Sequence, residues 1–236
     1  MSFDLIGKRV LVVGAGGGIG AATAAAFGHA GAQLFVAGRP GPRLDAVSTE
    51  TDGEAVALDL LDNAAIEAFF AAAEPFDHVV IAAAATRSGS VAGLALDDAK
   101  ASMDSKFWGA YRIARAAKVV AGGSITFVSG FLAHRPNAGA VLQGAINAAL
   151  EALGRGLALE RAPVRVNTVS PGLIDTPLWS GMREADRKAM FVRTAGSLPA
   201  RRVGQPDDIA QAILFVATNP FVTGTTVTVD GGGTIA

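Results

Sequence analysis

The sequence contains no cysteine, only three histidines and a single tyrosine among its 236 residues. Without a thiol the protein can form no disulfide, no thiolate nucleophile and no cysteine-type zinc site. His29, His78 and His134 are scattered and do not give the spacing of metal ligands, so we predict no metal site. Tyr111 is the only phenol, and any chemistry that needs a phenol would depend on it.

Charge of one sign and long apolar runs are also missing. The chain has 20 Lys and Arg against 21 Asp and Glu, for a net charge of -1, and no basic cluster indicates nucleic-acid binding. Its apolar runs are too short to span a membrane, and its start lacks the pattern of a secretory signal. We therefore expect a cytoplasmic protein that acts on a small-molecule substrate, with no nucleic-acid or membrane partner.

A glycine run near the start is the strongest local signal. It lies between an apolar strand predicted over 8–13 and an Ala-rich helix predicted over 19–30. The strand–loop–helix context favours a dinucleotide-binding turn over a flexible glycine loop, because free N–H groups at the helix start would face the phosphates. Gly14 would permit the tight turn, Gly18 would let the backbone approach a pyrophosphate, and Gly20 would let the helix pack closely. The candidate contacts in this run are Gly14, Gly17, Gly18, Ile19 and Gly20.

The end of the next strand, predicted over 33–37, bears on which dinucleotide binds. An acid here would accept hydrogen bonds from a ribose 2′-OH, but the sequence has Gly38 followed by Arg39. A guanidinium can pair with a 2′-phosphate, which favours NADP(H), with NAD(H) possible. The alternative is that Arg39 is a solvated surface arginine.

Strand-like and helix-like patterns alternate along the rest of the chain. This alternation predicts a single α/β domain over residues 1–236, a Rossmann fold with a doubly wound parallel sheet of about seven strands and helices on both faces. The longest helices are predicted over 96–120, with an inward stripe of Phe107, Ala110, Tyr111 and Ala114, and over 139–161. Further elements are predicted as helices at 63–73 and from Pro206, and as strands at 79–81, 124–128, 164–169 and 225–229.

These motifs resemble the short-chain dehydrogenase/reductase family over nearly the whole chain. The resemblance rests on the Gly-x-x-x-Gly-x-Gly spacing, on Asp59-Leu60, on the stretch 165–176, and on Thr223-Gly224 with the run 229–232. It implies an NAD(P)-dependent oxidoreductase that assembles as a homodimer or homotetramer. It also implies that further cofactor contacts come from Asp59, Leu60, Ala82, Ala83, Pro171, Gly172, Ile174 and Thr176.

The sequence departs from this family at the catalytic positions. The family's Tyr and Lys align with Gln143 and Asn147, its catalytic Asn aligns with Lys106, and its Ser aligns with Gly130, next to Ser129. The side-chain amides of Gln and Asn can form hydrogen bonds but cannot donate a proton at neutral pH. The resemblance therefore implies the fold and the cofactor, but not the usual route for the proton.

Three hypotheses for the reaction remain open. In the first, which we favour, the protein is an oxidoreductase that transfers hydride to or from a small carbonyl or alcohol, and another group replaces the tyrosine as proton donor. The candidates are Ser129, His134 and Lys106; the alternative is that His134 is an exposed loop histidine and Lys106 a solvated helix lysine. In the second, the substrate is an imine, whose reduction creates no alkoxide. In the third, the protein is a catalytically inactive nucleotide-binding or regulatory protein. We also predict a substrate lid over 177–198, apolar enough to cover a largely apolar substrate.

Overall fold

The computed structural model describes residues 4–236, in which seven strands form one all-parallel sheet. The order of the strands across the sheet is β3-β2-β1-β4-β5-β6-β7. The strands are β1 (Arg9–Val13), β2 (Gln33–Gly38), β3 (Glu54–Ala57), β4 (Phe76–Ile81), β5 (Val119–Val128), β6 (Arg165–Pro171) and β7 (Thr226–Val229).

Helices connect the strands and cover the sheet on both faces. They are α1 (Gly18–His29), α2 (Pro42–Thr51), α3 (Asn63–Ala72), α4 (Leu96–Met103), α5 (Gly109–Ala116), α6 (Val141–Glu160), α7 (Glu184–Ser197) and α8 (Pro206–Thr218). Short helical turns lie at Asp104–Trp108, Phe131–Ala133 and Pro177–Trp179. None of the helices within residues 4–236 is both long and apolar enough to cross a bilayer.

The alternation of side chains along β1 shows why both faces are covered. Leu11 and Val13 belong to an apolar cluster with Phe70 of α3, whereas Val10 and Val12 belong to the opposite cluster with Phe27 of α1. A strand that is buried on both sides needs a continuous apolar run, and such a run is what the sequence provides. The prediction of a doubly wound Rossmann fold is confirmed.

The strand order also fixes where a ligand can bind. From β1 the chain adds β2 and β3 on one side of the sheet. It then returns to place β4 on the other side of β1, and β5, β6 and β7 follow beyond β4. The crevice between the loops that follow β1 and β4 is therefore the switch point at which open α/β sheets bind their ligands, outside the carboxyl ends of the strands.

The prediction of one long helix over 96–120 is wrong for its last residues. The helical region ends at Ala116, and β5 begins already at Val119, which pairs with Phe76. The register then shifts, so that His78 pairs with Ser124, and Gly122 adopts a φ of 79° in the intervening bulge. Helical periodicity cannot identify this stretch because long-range pairing with β4 determines its conformation.

The inward stripe predicted on the same helical region also needs one correction. Ala110 and Ala114 are buried as predicted, but Tyr111 is 40% exposed and packs its ring edge-on against Trp108. The residues Asp104–Trp108 form a π turn, which holds an extra residue relative to an α-helical turn. Such a turn changes the phase of the helix, and a simple helical repeat does not anticipate it.

Candidate active site

The glycine turn after β1 is packed against the loop that follows β4. Gly14 has a φ of 90°, and a Cβ atom on it would lie 2.5 Å from the backbone nitrogen of Ala83. A Cβ atom on Gly20 would lie 2.1 Å from the carbonyl oxygen of Gly14. Both positions therefore require glycine: Gly14 because of its positive φ and the close approach of Ala83, and Gly20 because of the turn itself. Ala82 fixes the second loop, since its N–H donates to the Val13 carbonyl at 2.9 Å.

The N-terminus of α1 opens directly into this crevice. Gly17 is its N-cap and provides no side-chain cap, and the first N–H groups of an α-helix have no acceptor within the helix. A Cβ atom on Gly18 would lie 2.9 Å from the Thr176 side chain and 3.0 Å from Pro177. Gly18 thus packs the first turn of α1 closely against the segment after β6 and leaves no room for a side chain. Ile19 follows in the same helical turn.

Two arginines lie near this turn, and only Arg39 was predicted as a cofactor contact. Arg39 follows β2 directly and is exposed. Arg43, in the first turn of α2, places its Cβ atom 3.5 Å from where a Cβ atom on Gly16 would be. Within residues 4–236 neither guanidinium belongs to an ion pair. Arg43 could have been found from its position just inside the helix after the second strand.

The remaining predicted cofactor residues lie in the loops that follow β3 and β6. Asp59 is exposed, and its carboxylate accepts a hydrogen bond from the Leu61 N–H at 3.0 Å. Leu60 is buried against Gly109. Pro171 ends β6, and the Gly172 N–H donates to the last residue of β7 at 3.0 Å.

Ile174 and Thr176 continue this loop toward α1. Ile174 is buried, and its carbonyl accepts the indole N–H of Trp179 at 2.9 Å. This bond fixes the start of the segment 177–198, whose helix α7 contains no buried residue. Thr176 itself lies over the first turn of α1, as described for Gly18.

The catalytic positions form a hydrogen-bonded cluster around Lys106. The Lys106 ammonium donates to the Asn147 side-chain oxygen at 2.6 Å and to the Ser129 carbonyl at 2.7 Å. Lys106 lies in the π turn, Ser129 follows β5, and Asn147 lies in the second turn of α6. Three elements far apart in sequence therefore place an ammonium, an amide and a hydroxyl-bearing residue together at the carboxyl end of the sheet.

The surroundings of Lys106 alter its proton affinity. Burial lowers the pKa of the Lys106 ammonium to about 8, and the negative charge of Glu151 acts in the opposite direction. A lysine with a pKa near the operating pH is suited to give and take a proton. Two of its three N–H bonds have the acceptors just described, and the third has none within residues 4–236.

Gly130 explains how Asn147 fits into this cluster. A Cβ atom on Gly130 would lie 2.7 Å from the amide nitrogen of Asn147, which is inside van der Waals contact. The absence of a side chain at position 130 therefore makes room for the amide at position 147. These two departures from the family pattern are sterically linked.

Gln143 lies one helical turn before Asn147. Its amide nitrogen donates to the Ser88 hydroxyl at 2.7 Å, which ties the start of α6 to the loop after β4. Its side-chain oxygen is buried and has no hydrogen-bond partner within the described chain. An unpartnered buried acceptor is unfavourable, and a bound ligand with an N–H or O–H group would satisfy it.

His134 does not contact Lys106 directly, and its partner is Glu151. The His134 Nε2 atom lies 2.8 Å from one Glu151 oxygen, and the Ser129 hydroxyl donates to the other at 2.9 Å. Glu151 was not predicted as a site residue, although an acid one turn after Asn147 on the inward face of a helix is itself a signal. Within residues 4–236 no group of three or more potential ligands could hold a metal ion.

Comparison with known proteins finds relatives that match nearly the whole chain. The family described as enoyl-(acyl carrier protein) reductase matches residues 14–234. Galactitol 2-dehydrogenase (L-tagatose-forming) from Cereibacter sphaeroides is 33% identical over 99% of this chain and 97% of its own length.

Two solved structures cover nearly the whole fold. A small-chain dehydrogenase in complex with NADPH is 35% identical, covers 97% of this chain and 99% of its own, and gives a TM-score of 0.85. An NADPH-bound short chain oxidoreductase from Pseudomonas aeruginosa PAO1, which contains an atypical catalytic center, is 29% identical. It covers 98% of each chain with a TM-score of 0.90.

Proposed function

Because this chain belongs to the short-chain dehydrogenase/reductase family and is an NAD(P)-dependent oxidoreductase, we propose that it reduces a small carbonyl compound with NADPH through an atypical site. In this proposal Lys106 donates the proton that the family's tyrosine usually supplies. The observation that carries it is the Lys106 ammonium, which is held by Asn147 and Ser129 and has no partner within residues 4–236 for its third N–H bond.

The position of Lys106 suits this chemistry. NADPH, when bound, supplies the hydride that reaches the carbonyl carbon. Negative charge develops on the substrate oxygen, and this oxygen takes the proton of the third N–H bond of the Lys106 ammonium. The amine is then neutral until solvent reprotonates it. Asn147 and Ser129 present only acceptor oxygens to the ammonium, so they orient it without supplying the proton. A pKa of about 8 keeps Lys106 mostly charged at neutral pH.

The cofactor site fits a phosphorylated dinucleotide. The helix N-terminus at Gly17 and Gly18 provides backbone N–H groups for a pyrophosphate, and a side chain at Gly18 would clash with Thr176 beside that turn. Arg39 and Arg43 lie at the end where the adenosine 2′-phosphate is expected, and Gly38 provides no carboxylate to repel it. NADP(H) is therefore the proposed cofactor, with NAD(H) as the weaker alternative.

A substrate with a C=N bond is a second candidate, and Gln143 favours it. The oxygen of the Gln143 side chain, which has no partner among residues 4–236, can accept a hydrogen bond from the N–H of an iminium group. Hydride addition to an iminium carbon creates no alkoxide and so requires no proton donor. The carbonyl proposal is preferred, because the ammonium of Lys106 would repel a cationic substrate.

The segment 177–198 is the proposed substrate lid. Leu178 and Val192 are 77% and 73% exposed, although both side chains are apolar. Closure of this segment over the crevice would bury them and exclude water from the reacting atoms. The apolar side chains of this segment would pack favourably on a substrate with a largely apolar surface.

We also propose that the protein is a homo-oligomer, a dimer or a tetramer. Ala148, Ala152 and Gly156 lie four residues apart on α6 and are exposed, so this stripe of small residues does not pack on the protein's own sheet. Gly144, at the start of the same stripe, packs against the Leu132 carbonyl instead. An Ala152→Arg variant that keeps the wild-type mass in analytical ultracentrifugation would contradict a contact at this face.

The central test is NADPH consumption with a panel of small ketones, aldehydes and imines. Lys106→Met, which removes the ammonium at similar volume, should lower the rate of carbonyl reduction by ~10²–10⁴-fold. Lys100→Met is the matched control, because Lys100 is an exposed lysine on α4. An unchanged rate in Lys106→Met would refute the assignment. Tight NADPH binding without consumption of any substrate would support the inactive, regulatory alternative.

A further inference from the structure

A buried acid lies behind the proposed proton donor and has no role in the mechanism so far. Glu151 is 2% exposed and lies on α6, one turn after Asn147. Its two oxygens are bound by the Ser129 hydroxyl at 2.9 Å and by His134 Nε2 at 2.8 Å. A buried carboxylate is strongly unfavourable unless it is paired and hydrogen-bonded, so its retention here calls for a physical reason.

Ser129 connects this acid to Lys106. The Ser129 carbonyl accepts from the Lys106 ammonium at 2.7 Å, while the hydroxyl of the same residue donates to Glu151. The two opposite charges are therefore neighbours but form no direct ion pair. A direct ion pair would occupy the third N–H bond of Lys106, whereas this arrangement leaves that bond available to a substrate.

We infer that Glu151 is a positioning residue that acts through Lys106. Its buried negative charge keeps the ammonium protonated, and His134 holds that charge in place from the solvent side. The inference rests on the proposed function, in which Lys106 must enter each turnover as an ammonium. It also gives His134, which is half exposed, a role other than direct proton donation.

The other charged groups near the pair do not replace this effect. Arg155 lines a cavity of about 290 Å³ together with His134 and Glu151, but it is exposed and solvent screens its charge. Asp104, in the same π turn as Lys106, is bound by Arg112 at 2.6 Å, which compensates its charge. Glu151 is thus the acid whose charge reaches Lys106, with Ser129 between the two groups.

The test measures the proton affinity of Lys106 without requiring turnover. Dinitrofluorobenzene reacts with the neutral amine, so the rate of Lys106 labelling against pH, followed by mass spectrometry of the peptide, gives its pKa directly. Glu151→Gln keeps the size and the hydrogen-bonding capacity but removes the charge. We expect the midpoint of labelling to fall by about one pH unit, since a nearby opposite charge shifts a pKa by roughly that much or more. The alkaline fall of the NADPH-dependent rate should move by the same amount.

Three comparisons make the result decisive. Glu160→Gln, an exposed acid at the end of the same helix, should leave the labelling midpoint unchanged. Ser129→Ala removes a hydrogen bond to Glu151 but keeps the charge, and a shift as large as that of Glu151→Gln would overturn the inference. A Lys106 midpoint below about 7 in the wild-type protein would also overturn it, even if Glu151→Gln fails to fold.

Labelling and turnover separate this inference from the proposed function. A shifted labelling midpoint in a protein that turns over no substrate would support the role of Glu151 toward Lys106 and refute the reductase mechanism. An unshifted midpoint in an active enzyme would refute the role of Glu151 and leave Lys106 as the proton donor.

Discussion

Lys106 and Asn147 are joined by a hydrogen bond of 2.6 Å, from the ammonium of one to the side-chain oxygen of the other. In the family pattern the lysine belongs on α6 and the asparagine on the helix that carries Lys106. The two residue types are thus exchanged between two neighbouring helices, and the pair still meets. An ammonium remains at the site, but it is carried by the turn Asp104–Trp108 and not by α6.

This exchange predicts that the two positions are coupled. Lys106→Asn should lower the rate of NADPH-dependent reduction by ~10²–10⁴-fold, because no ammonium remains. Asn147→Lys should also impair the enzyme, because it places two ammonium groups together. The double variant Lys106→Asn with Asn147→Lys restores one amide and one ammonium, and should exceed the rate of Lys106→Asn by at least about tenfold.

A double-mutant cycle on stability and rate measures this coupling. Lys100→Asn serves as the control for the loss of a lysine from the same helical region. Strictly additive effects of the two changes, in both rate and unfolding free energy, would show that the contact between Lys106 and Asn147 has no energetic consequence.

Cofactor selectivity gives the second prediction. Arg39→Ala should weaken NADPH binding by roughly 10- to 150-fold, the equivalent of a charge-assisted hydrogen bond of ~1.5–3 kcal/mol, and should leave NADH binding nearly unchanged. Arg43→Ala should weaken NADPH in the same direction, and Arg39→Lys, which keeps a charge, should lose less. Fluorescence titration with both cofactors measures these effects. Equal affinities of the wild-type protein for NADPH and NADH would contradict the prediction.

The elements that the sequence predicts well are those determined by neighbours along the chain. The apolar run at 8–13, the glycines after it and the helix from Gly18 form a local pattern, and the structure has strand, turn and helix there. The end of the helical region at Ala116 was missed because pairing between Val119 and Phe76 ends it. These two partners are 43 residues apart in the sequence, and a local hydrophobic repeat cannot predict a pairing over that separation.

The same distinction applies to the candidate site. Lys106, Ser129 and Asn147 were each identified from the sequence by their positions, but their contacts depend on three elements packing together. Glu151 and Arg43 were not identified, because each gains its significance from a partner that the fold brings near. The resemblance to a family directs attention to motif positions and away from residues that compensate elsewhere.

The third prediction concerns the glycine turn. Gly18→Val should abolish NADPH binding, because a branched side chain occupies the place where the backbone approaches the pyrophosphate. The protein should stay folded, because the new side chain would meet Thr176 and Pro177, which lie outside the buried core. Gly16→Ala is the matched control, since its Cβ atom would make only an ordinary contact at 3.5 Å. Thermal melts with and without NADPH provide the measurement. A Gly18→Val protein that NADPH stabilises as much as the wild type would mean that the phosphates bind elsewhere.

The last prediction is a pH dependence of stability that arises from His78 in β4. Burial, with a further contribution from the positive charge of Arg165, lowers the pKa of His78 to about 4 from an ordinary value of 6.5. Between these two values the unfolded chain binds more protons than the folded one, so stability must fall as the pH falls from about 6.5 to about 4. The loss over this whole window is ~3 kcal/mol.

Urea unfolding at a series of pH values, from neutral to about 5, should therefore show a steeper decline for the wild type than for His78→Asn. Asparagine does not titrate and can still meet the Ser124 hydroxyl, which lies 2.9 Å from His78 Nδ1. His29→Asn, at an exposed histidine near the end of α1, should decline like the wild type. Parallel declines for the wild type and His78→Asn would mean that His78 gains a proton in the folded state as readily as in the unfolded chain.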